Sequence, residues 1–247
     1  MTGVQTCALP ICFPVTIGGF WGSFIGLGFL AAVYTGCFLW ILPGENNVLD
    51  SGYASLDGLF ALAPWLYMFL VPAITMRFFA EEKRAGTMEL LFTRPLRIMQ
   101  IVAAKYFAGL LLVIFSLLPT LVYLVSVYWL GNPVGNVDLG GFWGSFIGLG
   151  FLAAVYVSVG LFASSVTDNQ IISFLIGALL CFFMYYGFDL LVLFFSNATI
   201  QDFISMFGIS YHYDSMSRGV IDTRDVVYFI TVSSLIVTGK QIGRAHV

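Results

Sequence analysis

The chain has 247 residues, of which 60% are hydrophobic, 17% aromatic and only 9% charged. An average soluble domain carries roughly 25% charged residues, so this composition excludes a water-soluble globular protein and predicts an all-α bundle in lipid. The net charge is −3, and no pattern in the sequence indicates nucleic-acid binding.

Two terminal segments, residues 1–11 and 238–247, resemble translated sequencing-adapter read-through. We exclude both from fold prediction, as a fusion scar is excluded, and expect one transmembrane domain over residues 12–237. An identical 17-residue stretch also occurs twice, at Gly18–Tyr34 and Gly140–Tyr156. Structural repeats in transporters usually keep only weak symmetry, so this repeat indicates a chimeric assembly in which the first copy is the insertion.

Uninterrupted apolar runs mark the membrane spans, because a helix needs about 20 residues to cross a bilayer. They predict six spans, at about residues 20–42, 59–76, 106–130, 142–163, 171–195 and 226–237. The last run has about 12 residues before the excluded tail, which is too short to cross, so we predict a truncated final span.

Basic residues are concentrated in one connection, residues 77–105. It holds six of the ten Lys and Arg residues: Arg77, Lys83, Arg84, Arg94, Arg97 and Lys105. The neighbouring connections, residues 43–58 and 131–141, hold none. By the positive-inside rule the 77–105 connection is cytoplasmic, and the chain starts on the cytoplasmic side.

The same connection has the pattern of a charged helix, a break and a second short helix. Arg77, Glu81 and Arg84 stand at helical spacing, Gly86 weakens the helix, and Thr87 can cap the next one. One interpretation is an interfacial hairpin that only fixes topology. The other is a coupling element, in which the short helix fits a groove on a soluble partner.

The residues of this connection resemble a known family signature. Glu81–Leu91 (EEKRAGTMELL), followed by Thr93–Leu96 (TRPL) and Lys105, is similar to the E-[KR]-x-x-G-T-x-E-L-L-x-x-x-P-[LV] pattern of ABC-2 type permeases. Further segments resemble the gliding-motility-associated permease subunit GldF: Phe38–Gly44, Asn47–Phe60, Ala63–Trp65, Leu130–Asn136, Ser165–Gln170 and Ser217–Asp222.

This resemblance implies a six-span permease of the bacterial inner membrane that couples ATP hydrolysis to transmembrane movement and is linked to gliding motility. It implies an ABC ATP-binding subunit, a GldG-like companion subunit, and membrane domains that pair as a homo- or heterodimer. The residues expected to contact the ATP-binding subunit are Glu81, Glu82, Lys83, Arg84, Gly86, Thr87 and Glu89. No G-x-x-x-x-G-K-[ST] phosphate loop occurs, so ATP and Mg²⁺ are expected on the partner, and the chain is expected to lack catalytic residues and cofactors of its own.

Asp189 is the one acidic residue deep in an apolar run. A carboxylate at mid-bilayer would cost about 2.5 kcal/mol or more, so Asp189 either lines a translocation path or marks the outer end of a shorter span. His212 and His246 share no neighbourhood with other ligand-type residues, and we predict no metal site. Residues 196–225 are expected to form short re-entrant helices, as in similar transporters, or a plain interfacial loop.

Glycine recurs every four residues in the fourth predicted span, at Gly140, Gly144 and Gly148. Such a stripe allows another helix to pack closely.

Two other functions compete with the permease. A membrane scaffold for a motility or secretion machine would keep the fold without moving a solute. An intramembrane enzyme or a proton-coupled carrier would need several ionisable or nucleophilic groups within the membrane, and only Asp189 qualifies.

Overall fold

The computed structural model describes residues 56–84, 98–118, 120–130, 135 and 137–242. Within these ranges the chain forms nine α-helices and no strand: α1 Asp57–Thr75, α2 Arg77–Arg84, α3 Ile98–Leu117, α4 Thr120–Leu130, α5 Leu139–Val166, α6 Gln170–Val192, α7 Ala198–Ser205, α8 Ile209–Ser217 and α9 Thr223–Ile242. The predicted first span, residues 20–42, lies outside the described residues.

Four segments are long and apolar enough to cross a membrane: Asp57–Arg84, Met99–Trp129, Leu139–Val166 and Gln170–Val192. The prediction of an all-α polytopic membrane protein is therefore confirmed. The predicted bounds differ mostly at the helix ends. For example, α3 begins at Ile98 rather than at Tyr106, because the intervening residues are good helix formers that continue the same apolar helix.

The final helix is longer than the predicted 12-residue segment. It runs over Thr223–Ile242, so it begins before Val226 and continues past Val237 into the excluded tail. Hydrogen bonding at its start explains the earlier onset, since the backbone N–H of Arg224 donates to the carboxylate of Asp222 at 3.3 Å. The helix thus extends five residues past Val237, but it is not among the segments of the described chain that are long and apolar enough to cross a membrane, and the truncated final span stays a prediction.

Helix α5 lies at the centre of the bundle. It packs against α1, α2, α3, α6, α8 and α9, and its side chains Leu149, Leu152 and Tyr156 are fully buried. Its start is fixed by Asp138, whose carboxylate accepts hydrogen bonds from the backbone N–H groups of Gly140 and Gly141. The second copy of the repeat is therefore part of the core.

The outer helices present apolar side chains to the surroundings. Phe107 and Leu111 on α3, Val122 and Trp129 on α4, and Leu179 on α6 are all more than half exposed. Exposed apolar surface of this extent fits contact with lipid tails rather than with water.

Long-range contacts identify the two ends of the bundle. At the basic end, Lys83 of α2 lies 3.2 Å from Asp168, which lies between α5 and α6. At the opposite end, the hydroxyl of Ser145 near the start of α5 donates to the carbonyl of Ser217 at 3.3 Å. The chain therefore alternates between ends as the predicted span order requires.

Candidate functional site

One side chain of α5 forms hydrogen bonds to the backbone on both sides of the break between α1 and α2. The hydroxyl of Ser164 accepts hydrogen bonds from the backbone N–H groups of Phe79, at 3.0 Å, and Ala80, at 3.2 Å. It also donates to the carbonyl of Met76 at 3.0 Å. A side chain inserted into the helical hydrogen-bond ladder produces a kink, and Ser164 here uses its one donor and both acceptor positions. Helix α2 is therefore bonded to α5 through its backbone.

A close approach of α1 and α5 supports this junction one turn below it. A Cβ atom placed on Gly160 would lie 2.0 Å from the hydroxyl oxygen of Thr75. That hydroxyl donates within α1, to the carbonyl of Val71 at 2.9 Å. A residue larger than glycine at position 160 would therefore force the Thr75 side chain or one of the two helices to shift.

An ion pair joins α2 to α3. The ammonium group of Lys105 contacts the carboxylate of Glu82 and the backbone carbonyl of Phe78. It also lies 4.1 Å from the centre of the Phe79 ring, within cation–π range. Because the Lys105 and Glu82 side chains are only 17% and 21% exposed, this pair is screened less than a surface salt bridge.

A cation of α2, Lys83, reaches the turn between α5 and α6. Lys83 donates to the backbone carbonyl of Ser165 at 2.7 Å and lies 3.2 Å from the carboxylate of Asp168. The Asp168 side chain is 77% exposed, so the ion pair with Lys83 contributes little to stability. The partly buried hydrogen bond to the Ser165 carbonyl fixes the position of the Lys83 side chain.

The residues expected to couple to a partner fall into two groups. Glu82 and Lys83 bond within the chain, whereas Arg84 at the end of α2 is exposed. Glu81 belongs to α2, but its side chain lies outside the described set, as do Gly86, Thr87 and Glu89. The contacts assigned to this set therefore stay a prediction.

Asp189 lies near the end of α6, which stops at Val192, and is half-buried. This is the position that the interfacial interpretation requires, and a role in a translocation path stays a prediction. The charge of Asp189 acts on Asp214 of α8. Desolvation and the charge of Asp189 raise the pKa of Asp214, and Arg218 opposes this rise.

Sequence reasoning missed a buried pair at the opposite end. Nδ1 of His212 on α8 lies 2.7 Å from Oδ1 of Asp225 on α9, and the side chains are 4% and 3% exposed. The expectation that His212 has no ligand-type neighbour was therefore wrong. The one signal was a histidine and an aspartate flanking a glycine turn, 13 residues apart. Within the described ranges there is no group of three or more His, Cys, Asp or Glu side chains that could hold a metal ion.

The short helix α8 packs against the glycine stripe of α5. A Cβ atom on Gly144 would lie 2.3 Å from the backbone oxygen of Met216 and 2.7 Å from Cα of Gly219. Gly219 has a φ of +83°, which favours glycine at this turn after α8. The stripe predicted from the sequence therefore packs α8 and the turn that follows it.

Two comparisons with known proteins bear on this arrangement. Residues 50–243 match the family model described as ABC-2 family transporter protein. The match includes both ends of the bundle described above and extends into the excluded tail. No curated protein matches the sequence.

Proposed function

Because the chain belongs to the ABC-2 transporter family, and is thus a membrane permease subunit, we propose that α2 transmits the movement of a separate ATP-binding subunit to the bundle. The observation that carries this proposal is the bonding of α2 to three neighbours at once. Ser164 ties it to α5, Lys105 ties it to α3, and Lys83 ties it to the turn after α5.

The mechanical argument follows from these bonds. If the ATP-binding subunit moves residues 85–97, the movement is transmitted to α2 through Arg84, the last residue of that helix. Helix α2 cannot slide along α5 without breaking the bonds of Ser164 to Phe79 and Ala80, so the two helices move together. Since α5 packs against most of the other helices, a displacement of α2 reaches the whole bundle.

In this arrangement the basic end faces the cytoplasm of a bacterial cell and the N-terminus lies on the same side. ATP and Mg²⁺ bind on the ATP-binding subunit, which supplies the phosphate loop absent from this sequence. Arg84, Gly86, Thr87 and Glu89 contact that subunit. Glu82 and Lys83 act behind them by holding α2 to the bundle.

The segments that resemble GldF permeases support a finer assignment. We place the chain in a complex linked to gliding motility, in the inner membrane, with a GldG-like companion subunit and a second membrane domain. Asp189 and Asp214 lie together at the opposite end, where a path between two membrane domains would open.

The test separates docking from coupling in cells that produce the whole complex. The Arg84→Glu variant should lose co-purification of the ATP-binding subunit, whereas Arg218→Glu, the same change at the opposite end, should keep it. The Glu82→Lys variant should keep docking but lose about tenfold in the stimulation of ATPase activity by the permease, a typical size for a coupling energy.

Restoring the pair provides the control. The double variant Glu82→Lys, Lys105→Glu should recover part of the stimulated ATPase rate and of gliding, because it restores the ion pair but not the contacts of Lys105 with the Phe78 carbonyl and the Phe79 ring. If the Glu82→Lys variant is fully stimulated, α2 is not the transmitting element. If docking, ATPase stimulation and gliding all persist while no solute moves, the chain acts as a scaffold.

A further inference from the structure

Two carboxylates lie close together at the opposite end of the bundle, each in the last turn of its helix. Asp189 is in the last turn of α6, which ends at Val192, and Asp214 is in the last turn of α8, which ends at Ser217. Neither helix has a basic residue in its last turn. The C-terminal end of a helix carries partial negative charge, so it stabilises a cation and not a carboxylate. The two acids and the two helix ends therefore combine into one negative potential.

No ion pair between described residues neutralises this charge. Arg218, which follows α8, is exposed and forms no ion pair with Asp214. Desolvation and the charge of Asp189 raise the pKa of Asp214. A cation held between the two acids would relieve their repulsion. The acids that do form ion pairs within the described ranges are Glu82, Asp168 and Asp225.

Aromatic rings lie next to the two acids. The ring centroid of Trp65 on α1 lies 4.8 Å from that of Tyr186 on α6, and the Tyr185 ring lies 4.7 Å from Tyr186. Asp189 follows Tyr186 by three positions and Tyr185 by four, which places these side chains on one side of α6. The charges of Asp189 and Asp214 both act on Tyr186. Trp65 is 43% exposed and Tyr186 is half-buried, so a ligand can reach both rings. Ring faces beside carboxylates attract an organic cation.

A buried hydroxyl without a partner lies at the same place. Tyr185 is only 6% exposed, and its hydroxyl forms no hydrogen bond to another described residue. The charges of Asp214 and Asp189 both act on this hydroxyl, so it lies beside the two carboxylates. The neighbouring hydroxyl of Tyr156 on α5 is buried and also has no partner among the described residues. Since buried polar groups are nearly always hydrogen-bonded, the phenol oxygen of Tyr185 is available to a ligand that donates an N–H.

We propose that this cluster binds a primary ammonium group, and we call the cluster the ammonium site. The carboxylates supply the countercharge, the rings of Trp65 and Tyr186 contact the cation through their faces, and the Tyr185 oxygen accepts one N–H. A metal ion fits less well, because the described ranges hold no group of three or more ligand-type side chains and ring faces offer no oxygen ligand. The site goes beyond the coupling by α2 and does not depend on it. Its members are Trp65, Tyr185, Tyr186, Asp189 and Asp214.

Two sources of a primary ammonium group reach this end of the bundle. One is the headgroup of an aminophospholipid in the adjacent leaflet, and the other is a soluble amine in the aqueous phase. Because α6 ends within the ammonium site, the site lies where a spanning helix meets the headgroup layer, and both sources have access to it.

Ligand-observed NMR of the full chain in lipid nanodiscs tests the site. The discs consist of phosphatidylglycerol, which has no ammonium group, and empty discs give the background. The probe is ethanolamine, with ethylene glycol as its uncharged isostere. We expect saturable transfer of magnetisation from the protein to ethanolamine, and transfer to ethylene glycol at the background level.

Substitutions then assign the signal to the ammonium site. Asp189→Asn and Asp214→Asn should each raise the dissociation constant of ethanolamine about tenfold, as the loss of a charged hydrogen bond does. Tyr186→Leu should raise it about two- to fivefold, the usual size of a cation–π contact at a partly exposed site. The matched control is Asp202→Asn, because Asp202 is an exposed acid on α7, which together with α8 forms what we call the short-helix pair. This control should bind ethanolamine as the wild type does.

The N–H contact has a separate test. Choline has no N–H on its nitrogen, so it should bind more weakly than ethanolamine. Tyr185→Phe should weaken the binding of ethanolamine and leave the binding of choline unchanged.

Discs that contain phosphatidylethanolamine distinguish the two sources. If the lipid headgroup fills the ammonium site, the transfer to ethanolamine falls in these discs, whereas a site for a soluble amine keeps its signal. Circular dichroism checks that each variant is folded. The proposal is overturned if the wild type gives no transfer above empty discs, if ethylene glycol binds as tightly as ethanolamine, or if a folded Asp214→Asn variant binds no more weakly than Asp202→Asn.

Discussion

Ser164 shows how one hydroxyl determines a local backbone path. In an unbroken helix the N–H of Ala80 would bond to the carbonyl of Met76, but Ser164 occupies both groups. The hydroxyl is fully buried, so no water can replace it.

Removing that hydroxyl leaves two backbone donors without a partner. We expect Ser164→Ala to destabilise the chain by about 1–3 kcal/mol, the usual cost of an unsatisfied buried group. Thermal unfolding of the chain in a lipid nanodisc measures this. The matched control is Ser165→Ala, because the exposed Ser165 hydroxyl bonds only to the carbonyl of Phe162 in its own helix. If the two variants unfold at the same temperature, the hydrogen bonds of the Ser164 hydroxyl do not contribute to the stability of the chain.

At the residue scale, the family signature indicated Glu82 and Lys83 but gave no partner for them within the chain. Glu82 pairs with Lys105, 23 residues away, and Lys83 bonds to Ser165, 82 residues away. Ser164 and Phe79, which join the same helices, are 85 residues apart. A serine within a helix usually bonds back to its own turn, so nothing local marked Ser164 as different. The His212–Asp225 pair was missed because its two residues lie on different helices that only the fold brings together.

Among the helices, α5 and α8 approach each other closely at the opposite end, where Gly144 faces the backbone of Met216. The glycine stripe predicted a close neighbour from its four-residue spacing alone, which is a helical periodicity. The identity of that neighbour depended on α8, a nine-residue helix. Isolated helices of that length are unstable in water, and so its sequence gives only a weak signal before it packs.

Helix α5 supplies a matched pair of substitutions, one in the glycine stripe and one outside it. In Gly144→Ala the added methyl group meets the backbone oxygen of Met216, which cannot move aside as a side chain can. We expect a cost of about 1–3 kcal/mol from overpacking and detachment of α8. In Gly150→Ala nothing lies within 4 Å of the added atom, so the variant should be neutral or up to about 1 kcal/mol more stable.

Limited proteolysis at the turn after α8 reports the difference. Cleavage near Arg218 should accelerate in the Gly144→Ala variant and stay at the wild-type rate in Gly150→Ala. Comparable cleavage of both variants would mean that α8 does not rest on the stripe as the geometry requires.

For the whole molecule, composition and run length were enough to predict the helical membrane fold. Hydropathy identifies spans because every backbone polar group in lipid must bond within its own helix. The ends of the helices were less predictable: α3 begins eight residues earlier, within the basic connection, and α9 begins at polar residues that carry no apolar signal. The contacts at the basic end depend on packing between distant helices, and hydropathy carries no information on them.

Charge asymmetry gives the molecule its proposed direction in the membrane. The basic end carries Arg77, Lys83, Arg84 and Lys105, and the contact between Lys83 and Asp168 brings two separate connections to that end. The opposite end carries the short-helix pair. If an ATP-binding subunit drives the bundle through α2, the basic end must face the compartment that contains ATP.

Cysteine labelling of intact cells tests this requirement most directly. In a chain whose four native cysteines are replaced by serine, Arg84→Cys probes the basic end and Val220→Cys probes the opposite end, and both positions are exposed. With a membrane-impermeant maleimide, we predict immediate labelling of the Val220→Cys variant and labelling of the Arg84→Cys variant only after the membrane is opened. Labelling of the Arg84→Cys variant in intact cells would contradict the account.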